Sequence, residues 1–172
     1  AFQQRSDRGS LYFSALCFAM ALREVTTANL LPNLNITDSA YYVTLLKLEY
    51  ISIPLLITSA STFLSSMLPN ARFKLFVSTA CYIPSVVLIV FALVSDTLTL
   101  SSYLWVFQAQ LIVLTTGGLC YLVYRAARDG GPAIWILAAF GLLAGGAIND
   151  LLHNVHIVTT MYLTPYTFMA FI

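Results

Sequence analysis

Charge is what this sequence has least of. Only 9% of its 172 residues are Asp, Glu, Lys or Arg, against roughly 25% in a soluble domain. The few charges are also far apart. Residues 50–71 (22 residues), 75–95 (21), 97–124 (28) and 130–149 (20) contain none, and none follows Asp150. Each interval reaches the ~20 residues that a helix needs to cross a bilayer. The core helix of a soluble protein is shorter and apolar on one face only, so that class is excluded. With 59% hydrophobic residues and a mean hydropathy of +0.84, the expected fold class is all-α, a polytopic transmembrane helical bundle.

Other absences narrow the function. No basic tract is present and the net charge is +1, which excludes nucleic acid as a partner. Three cysteines, Cys17, Cys81 and Cys120, fall in three different apolar runs without metal-type spacing. They give no disulfide framework and are expected to pack in the core. There is no Gly-rich phosphate loop, nucleophile elbow or Cys pair, and Lys47 and Lys74 both stand near helix ends. No cofactor is expected. The sequence lacks an initiator Met and a signal-peptide pattern, and it stops at Ile172 inside an apolar run; a fragment of a longer chain is expected.

What is present is six apolar runs forming one transmembrane domain over 1–172: helices at about 11–31, 40–68, 73–94, 103–124 and 133–153, with 161–172 incomplete. Arg23-Glu24 interrupts the first. Residues 31–39 carry turn formers, an N-cap candidate at Asp38 or Ser39 and a three-residue match to the glycosylation sequon at Asn35. Pro54 and Pro84 are expected to kink the second and third helices, and Arg125 to Pro132 makes a stop. Short connections make successive helices antiparallel neighbours.

Basic residues fix the expected orientation. Arg5, Arg8, Arg72, Lys74, Arg125 and Arg128 stand against two acids, Asp7 and Asp129, on one side. The positive-inside rule then puts the start of the first helix, 69–74 and 125–132 in the cytoplasm. Tyr41, Tyr42, Tyr50, Tyr103, Trp105, Tyr162 and Tyr166 form an outer interfacial belt, and Tyr12, Tyr121, Tyr124 and Trp135 an inner one. Tyr82 falls mid-helix and reads as a core residue.

Three helices bring ionisable groups to similar depth. At 1.5 Å per residue, Arg23 lies ~18 Å from Leu11, Glu49 ~28 Å from Leu68 and Asp150 ~27 Å from Pro132. Near the outer face of a hydrocarbon core ~30 Å thick, such groups are expected to face other helices and pair. The expectation is a polar cluster of Arg23, Glu49, Asn149 and Asp150, approached by Lys47 and Glu24, that couples helices and rearranges on a signal. The bland alternative is interfacial snorkelling. Gly141 and Gly145, four apart with Asn149 next in line, form a GxxxG face for close helix packing inside the bundle or in a homodimer. Asp150 and His153 share a helix face as weak metal candidates, with His156 further round.

The run Arg5-Ser-Asp-Arg-Gly-Ser-Leu-Tyr-Phe, then Leu48-Glu49-Tyr50-Ile51, then Ile148-Asn149-Asp150-Leu151-Leu152 resembles the bacterial seven-transmembrane receptors with diverse intracellular signalling modules. In that family a short basic loop leads into an aromatic-rich second helix, a Lys/Arg-Leu-Glu-Tyr-like start marks the third, and an Asn-Asp pair closes the sixth. The six runs would be its second to seventh helices. The resemblance implies a receptor of the bacterial cytoplasmic membrane, with an extracytoplasmic ligand or ligand-binding domain before these helices. After them it implies a cytoplasmic signalling domain: a histidine kinase of a two-component system, a diguanylate cyclase, a nucleotide cyclase or a phosphatase. The chain itself would then be a transducer and not an enzyme. Two other readings compete: a metal-dependent intramembrane hydrolase using Asp150 and His153, and a small-solute transporter. The transporter is disfavoured because no repeated pair of broken helices is evident.

Overall fold

The computed structural model describes residues 2–27, 39–67, 70–154, 159, 161 and 163–171; the Asn35 sequon, Asp38, Tyr162 and His156 lie outside them. All regular structure in these residues is helical. Four helices are long and apolar enough to cross a membrane: Ala40–Met67, Phe73–Val94, Leu104–Arg128 and Ala133–Asp150. The protein is an integral membrane protein with an all-α polytopic bundle. Two compact units divide the chain, 1–114 and 115–172.

In the first unit, α1 (Phe2–Thr27) opens well before Leu11. Gln3, Gln4, Arg5 and Arg8 are strong helix formers, and the lone Gly9 costs only ~1 kcal/mol in a helix interior. Its charged ends, Arg8 at one and Arg23-Glu24 at the other, keep it out of the four spanning candidates. α1 packs along α2 (Ser39–Met67), with Phe13 and Phe63 rings 5.5 Å apart. Pro54 inside α2 removes one main-chain donor, yet the helix continues. Hydroxyls on α2 are satisfied by its own backbone: Ser52 donates to the Glu49 carbonyl at 2.6 Å, Thr58 to Pro54 at 2.7 Å, Thr62 to Thr58 at 2.6 Å. Back-bonding of this kind lets a hydroxyl sit in hydrocarbon without an orphan proton.

Next comes a continuous rod of α3 (Ala71–Val77), a π-helical turn (Ser78–Tyr82) and α4 (Ile83–Val94). Pro84 lies just past the π turn; proline cannot donate to the helical ladder, and a widened turn before it absorbs the register change. α4 is built inside out. Ile83, Val86, Val87, Val90, Leu93 and Val94 are exposed, while Ser85, Leu88 and Ala92 are buried. That is the arrangement for a helix whose outer face meets lipid tails. α4 packs on α2 around Tyr50, Leu88, Ala92, Leu100 and Phe107. Tyr50 meets Phe107 edge to face at 5.3 Å, the geometry that ring quadrupoles favour.

A short α5 (Thr97–Ser102) follows the extended residues Ser95 and Asp96. Interaction with the Thr99 hydroxyl, and then with the local backbone, holds the exposed Asp96 carboxyl below the ordinary carboxylate range. α6 (Leu104–Asp129) runs through the boundary between the units.

In the second unit, Gly130 and Gly131 both take positive φ, 61° and 54°, a conformation that costs a side-chain-bearing residue energy. The Gly130 N–H closes α6 on the Ala126 carbonyl at 3.1 Å. Pro132 then opens α7 (Pro132–Asn154), where its missing N–H is not needed. α8 (Thr164–Phe171) packs back on α7. Exposed aromatics mark helix ends: Tyr41 and Tyr42 on α2, Trp105 on α6, Tyr124 near the end of α6 and Trp135 near the start of α7. Amphipathic rings settle at such interfacial levels.

Candidate functional site

Asp150 is the most deeply held acid among the described residues, 7% exposed. It stands in the last turns of α7, and α8 begins opposite it. One carboxylate oxygen accepts the Leu163 N–H at 2.6 Å and the other the Thr164 N–H at 3.1 Å. Those two groups stand just before α8 and at its first residue, where amides have no partner within the helix. The acid also sits at the positive end of the helix dipole. Asp150 therefore caps α8 from a different helix. Asn149 completes the clamp: its amide donates to the Met161 carbonyl at 2.9 Å and to the Asp150 carboxylate at 3.2 Å. Two adjacent side chains at the end of α7 thus hold the chain entering α8 through both its donors and its acceptor.

Glycine makes the second contact of this pair. A Cβ on Gly146 would collide with the Thr167 hydroxyl and lie 3.2 Å from the Thr164 Cα. α8 thus crosses α7 over Gly146. At Gly141 and Gly145, the small-residue face expected from the sequence, a Cβ would have nothing within 4 Å among the described residues. Face geometry alone could not tell these apart, since the crossing point depends on where the Asp150 cap anchors α8.

In the first unit, Arg23 on α1 and Glu49 on α2 are half-buried, and the guanidinium charge acts on the Glu49 carboxylate. Asp150 lies in the second unit with the partners given above. Lys47 goes elsewhere: its Nζ donates to the Leu93 carbonyl at 2.8 Å, and its charge bears on Asp96. Leu93 is in the last turn of α4, where carbonyls lack helical partners and cations are favoured. Lys47 is a C-terminal cap across helices.

Sequence reasoning missed a polar group inside the first unit. Gln110 on α6 is buried, and its amide donates to the Ser85 hydroxyl at 2.8 Å and to the Cys81 carbonyl at 3.3 Å. Cys81 closes on Ser61 through its thiol at 3.4 Å. These groups gather at the π turn, the kind of irregularity that recurs at functional positions. The signal was available as an uncharged amide within a charge-free run, but a count of ionisable residues passes over it. Tyr82, expected in the core, is instead 36% exposed, with its hydroxyl 2.8 Å from Thr62. Of the three cysteines only Cys81 is buried, and Cys120 is exposed.

For metal chemistry the arrangement offers little. Both Asp150 oxygens are engaged by main-chain N–H groups, and among the described residues no group of three His, Cys, Asp or Glu side chains is placed to hold an ion.

Comparison with known proteins gives one finding. The model of the family described as 7TM diverse intracellular signalling matches residues 2–172. No curated protein and no solved structure matches the chain.

Proposed function

Because the chain belongs to the 7TM diverse intracellular signalling family, a family of membrane signalling domains, we propose that it is the transducer of a bacterial receptor in the cytoplasmic membrane. It relays an extracytoplasmic signal, from a ligand or from a ligand-binding domain of the same chain, to a cytoplasmic output domain. The start of α1, 69–74 and 125–132 face the cytoplasm on this reading, in keeping with their excess of basic residues. The chain does no chemistry of its own; catalysis belongs to the output domain, a kinase, cyclase or phosphatase.

The observation that supports a switching role is the Asn149–Asp150 clamp on α8. Its two bonds to the start of α8 are charge-assisted, each worth about 1.5–3 kcal/mol. Breaking them is a discrete event on the scale of a ligand's differential affinity, which is the only means by which binding shifts an equilibrium between two packings. In the first unit, the charge of Arg23 on α1 acts on Glu49 on α2, and on this reading their attraction is the second contact that the signal shifts. The signal bends the balance at these two polar contacts, and α8 carries the shift inward. Asp150→Ala and Glu49→Ala in the full-length protein test this. Changed output at unchanged protein level supports the reading; unchanged output in both variants ends it.

A further inference from the structure

Between the first turns of α1, the last turns of α2 and the rod that begins at α3 lies a cavity of about 380 Å³ that neither polar contact above uses. Two cations, Arg8 and Lys74, open onto it, and hydroxyls from Tyr12, Ser65, Ser66 and Tyr82 line it. No carboxylate appears among its described lining residues. It sits where α2 ends at Met67 and the next span starts at Phe73, so its mouth is at a membrane–water interface.

The hydroxyls are placed to change partners. Ser65 and Ser66 donate to carbonyls three residues back, at 2.9 and 2.7 Å, and each can swing its proton outward at small cost to the helix. The Thr62 proton goes to the Thr58 carbonyl at 2.6 Å, so across the 2.8 Å contact Tyr82 is the donor to Thr62. That bond fixes the Tyr82 ring as one wall. A concave site with a guanidinium, an ammonium and several mobile O–H donors suits a tetrahedral oxyanion: Arg supplies a planar fork and Lys a point charge. Basic pockets between helices at a membrane face hold phosphorylated headgroups by the same means.

We infer that this cavity binds a phosphate-bearing anion through Arg8 and Lys74, seated as the headgroup of an anionic phospholipid or as free phosphate. The inference rests on the membrane reading and not on the orientation proposed above, since lipid is available at either face.

The test uses the full chain in nanodiscs, which present both leaflets, so that a wrong orientation does not affect the result; orientation is read separately in intact cells, by labelling Asn70→Cys in a chain whose exposed Cys120 is replaced by Ser. In discs of phosphatidylcholine and phosphatidylglycerol in equal parts, native mass spectrometry of the released protein should show phosphatidylglycerol retained in preference. Arg8→Gln or Lys74→Gln should each lower that preference roughly fivefold, while Arg8→Lys and Lys74→Arg keep most of it. In discs of phosphatidylcholine alone, inorganic phosphate should stay unbound if the source is lipid. Saturable phosphate binding with the same dependence on Arg8 and Lys74, and no lipid preference, assigns the site to the free anion. If the Gln variants fail to fold, Arg8→Met and Lys74→Met, which keep the apolar stems, take their place and should lower the preference in the same way. Neither lipid preference nor phosphate binding, or a preference that both Gln variants leave intact, overturns the inference.

Discussion

Asp150 on α7 and Leu163 at the entrance to α8 are joined by a 2.6 Å bond from a backbone N–H to a carboxylate. A buried carboxylate bonded to backbone N–H groups is short and charge-assisted. Asp150→Ala leaves the Leu163 and Thr164 amides without acceptors, and the expected loss is about 2–4 kcal/mol for two such bonds, part recovered by water. Asp150→Asn keeps one acceptor oxygen and should lose about half as much. Hydrogen exchange at the Leu163 and Thr164 amides measures it directly: both should exchange faster in Ala than in Asn, and faster in Asn than in wild type.

Gly146 predicts a clash with a named neighbour. Gly146→Ala drives a methyl into the Thr167 side chain, and overpacking of this kind costs about 1–3 kcal/mol. Gly141→Ala and Gly145→Ala meet open space and should be neutral or slightly stabilising through helix propensity. Adding Thr167→Ala to Gly146→Ala should restore part of the loss, although the Thr164 Cα at 3.2 Å keeps the rescue incomplete. Thermal unfolding of the four variants in one detergent checks the pattern.

Arg23 and Glu49 are expected to be coupled. A double-mutant cycle with Arg23→Gln and Glu49→Gln should give an interaction of about 1 kcal/mol or more, above the few tenths typical of exposed pairs. Each single variant leaves a charge with a weakened partner, so the double variant should be less damaged than the two singles summed. An additive cycle removes the pair from the account.

At the π turn the Gln110 amide nitrogen is bonded, but its buried carbonyl oxygen has no hydrogen-bond partner among the described residues. A half-satisfied amide is an expensive tenant of a buried site. Gln110→Met with Ser85→Ala removes both sides of the bond and should be neutral or stabilising. Ser85→Ala alone should destabilise by about 1 kcal/mol, since it costs the amide one of its acceptors. Should the double variant fold well but signal poorly, the polar group is kept for function rather than stability.

How far the residues foretold this follows from what kind of partner each has. The spacing of fifteen charges exposed the spans, because a lipid environment penalises every ionised side chain in the same way. Gly130-Gly131-Pro132 announced its turn, because that backbone suits those residues. Asn149 and Asp150 stood out as polar groups at a helix end, but their bonds go to main-chain groups at Met161, Leu163 and Thr164, which every residue carries and no pattern marks. Lys47 was read toward acids for the same reason, whereas it found the Leu93 carbonyl. The choice of Gly146 over Gly141 and Gly145 is tertiary: it is decided by where α8 lies. The π turn beside Pro84 is likewise a backbone event, which no side-chain pattern marks.

The central claim, that α8 moves against α7 to carry the signal, is tested most directly by locking the two together. Gly146→Cys with Thr167→Cys, in a full-length protein whose exposed Cys120 is replaced by Ser, allows a disulfide across their contact. The account predicts that output differs several-fold between the oxidised and reduced protein, and that reduction restores the response. The same output with the bond closed and open, at verified cross-linking, would contradict it.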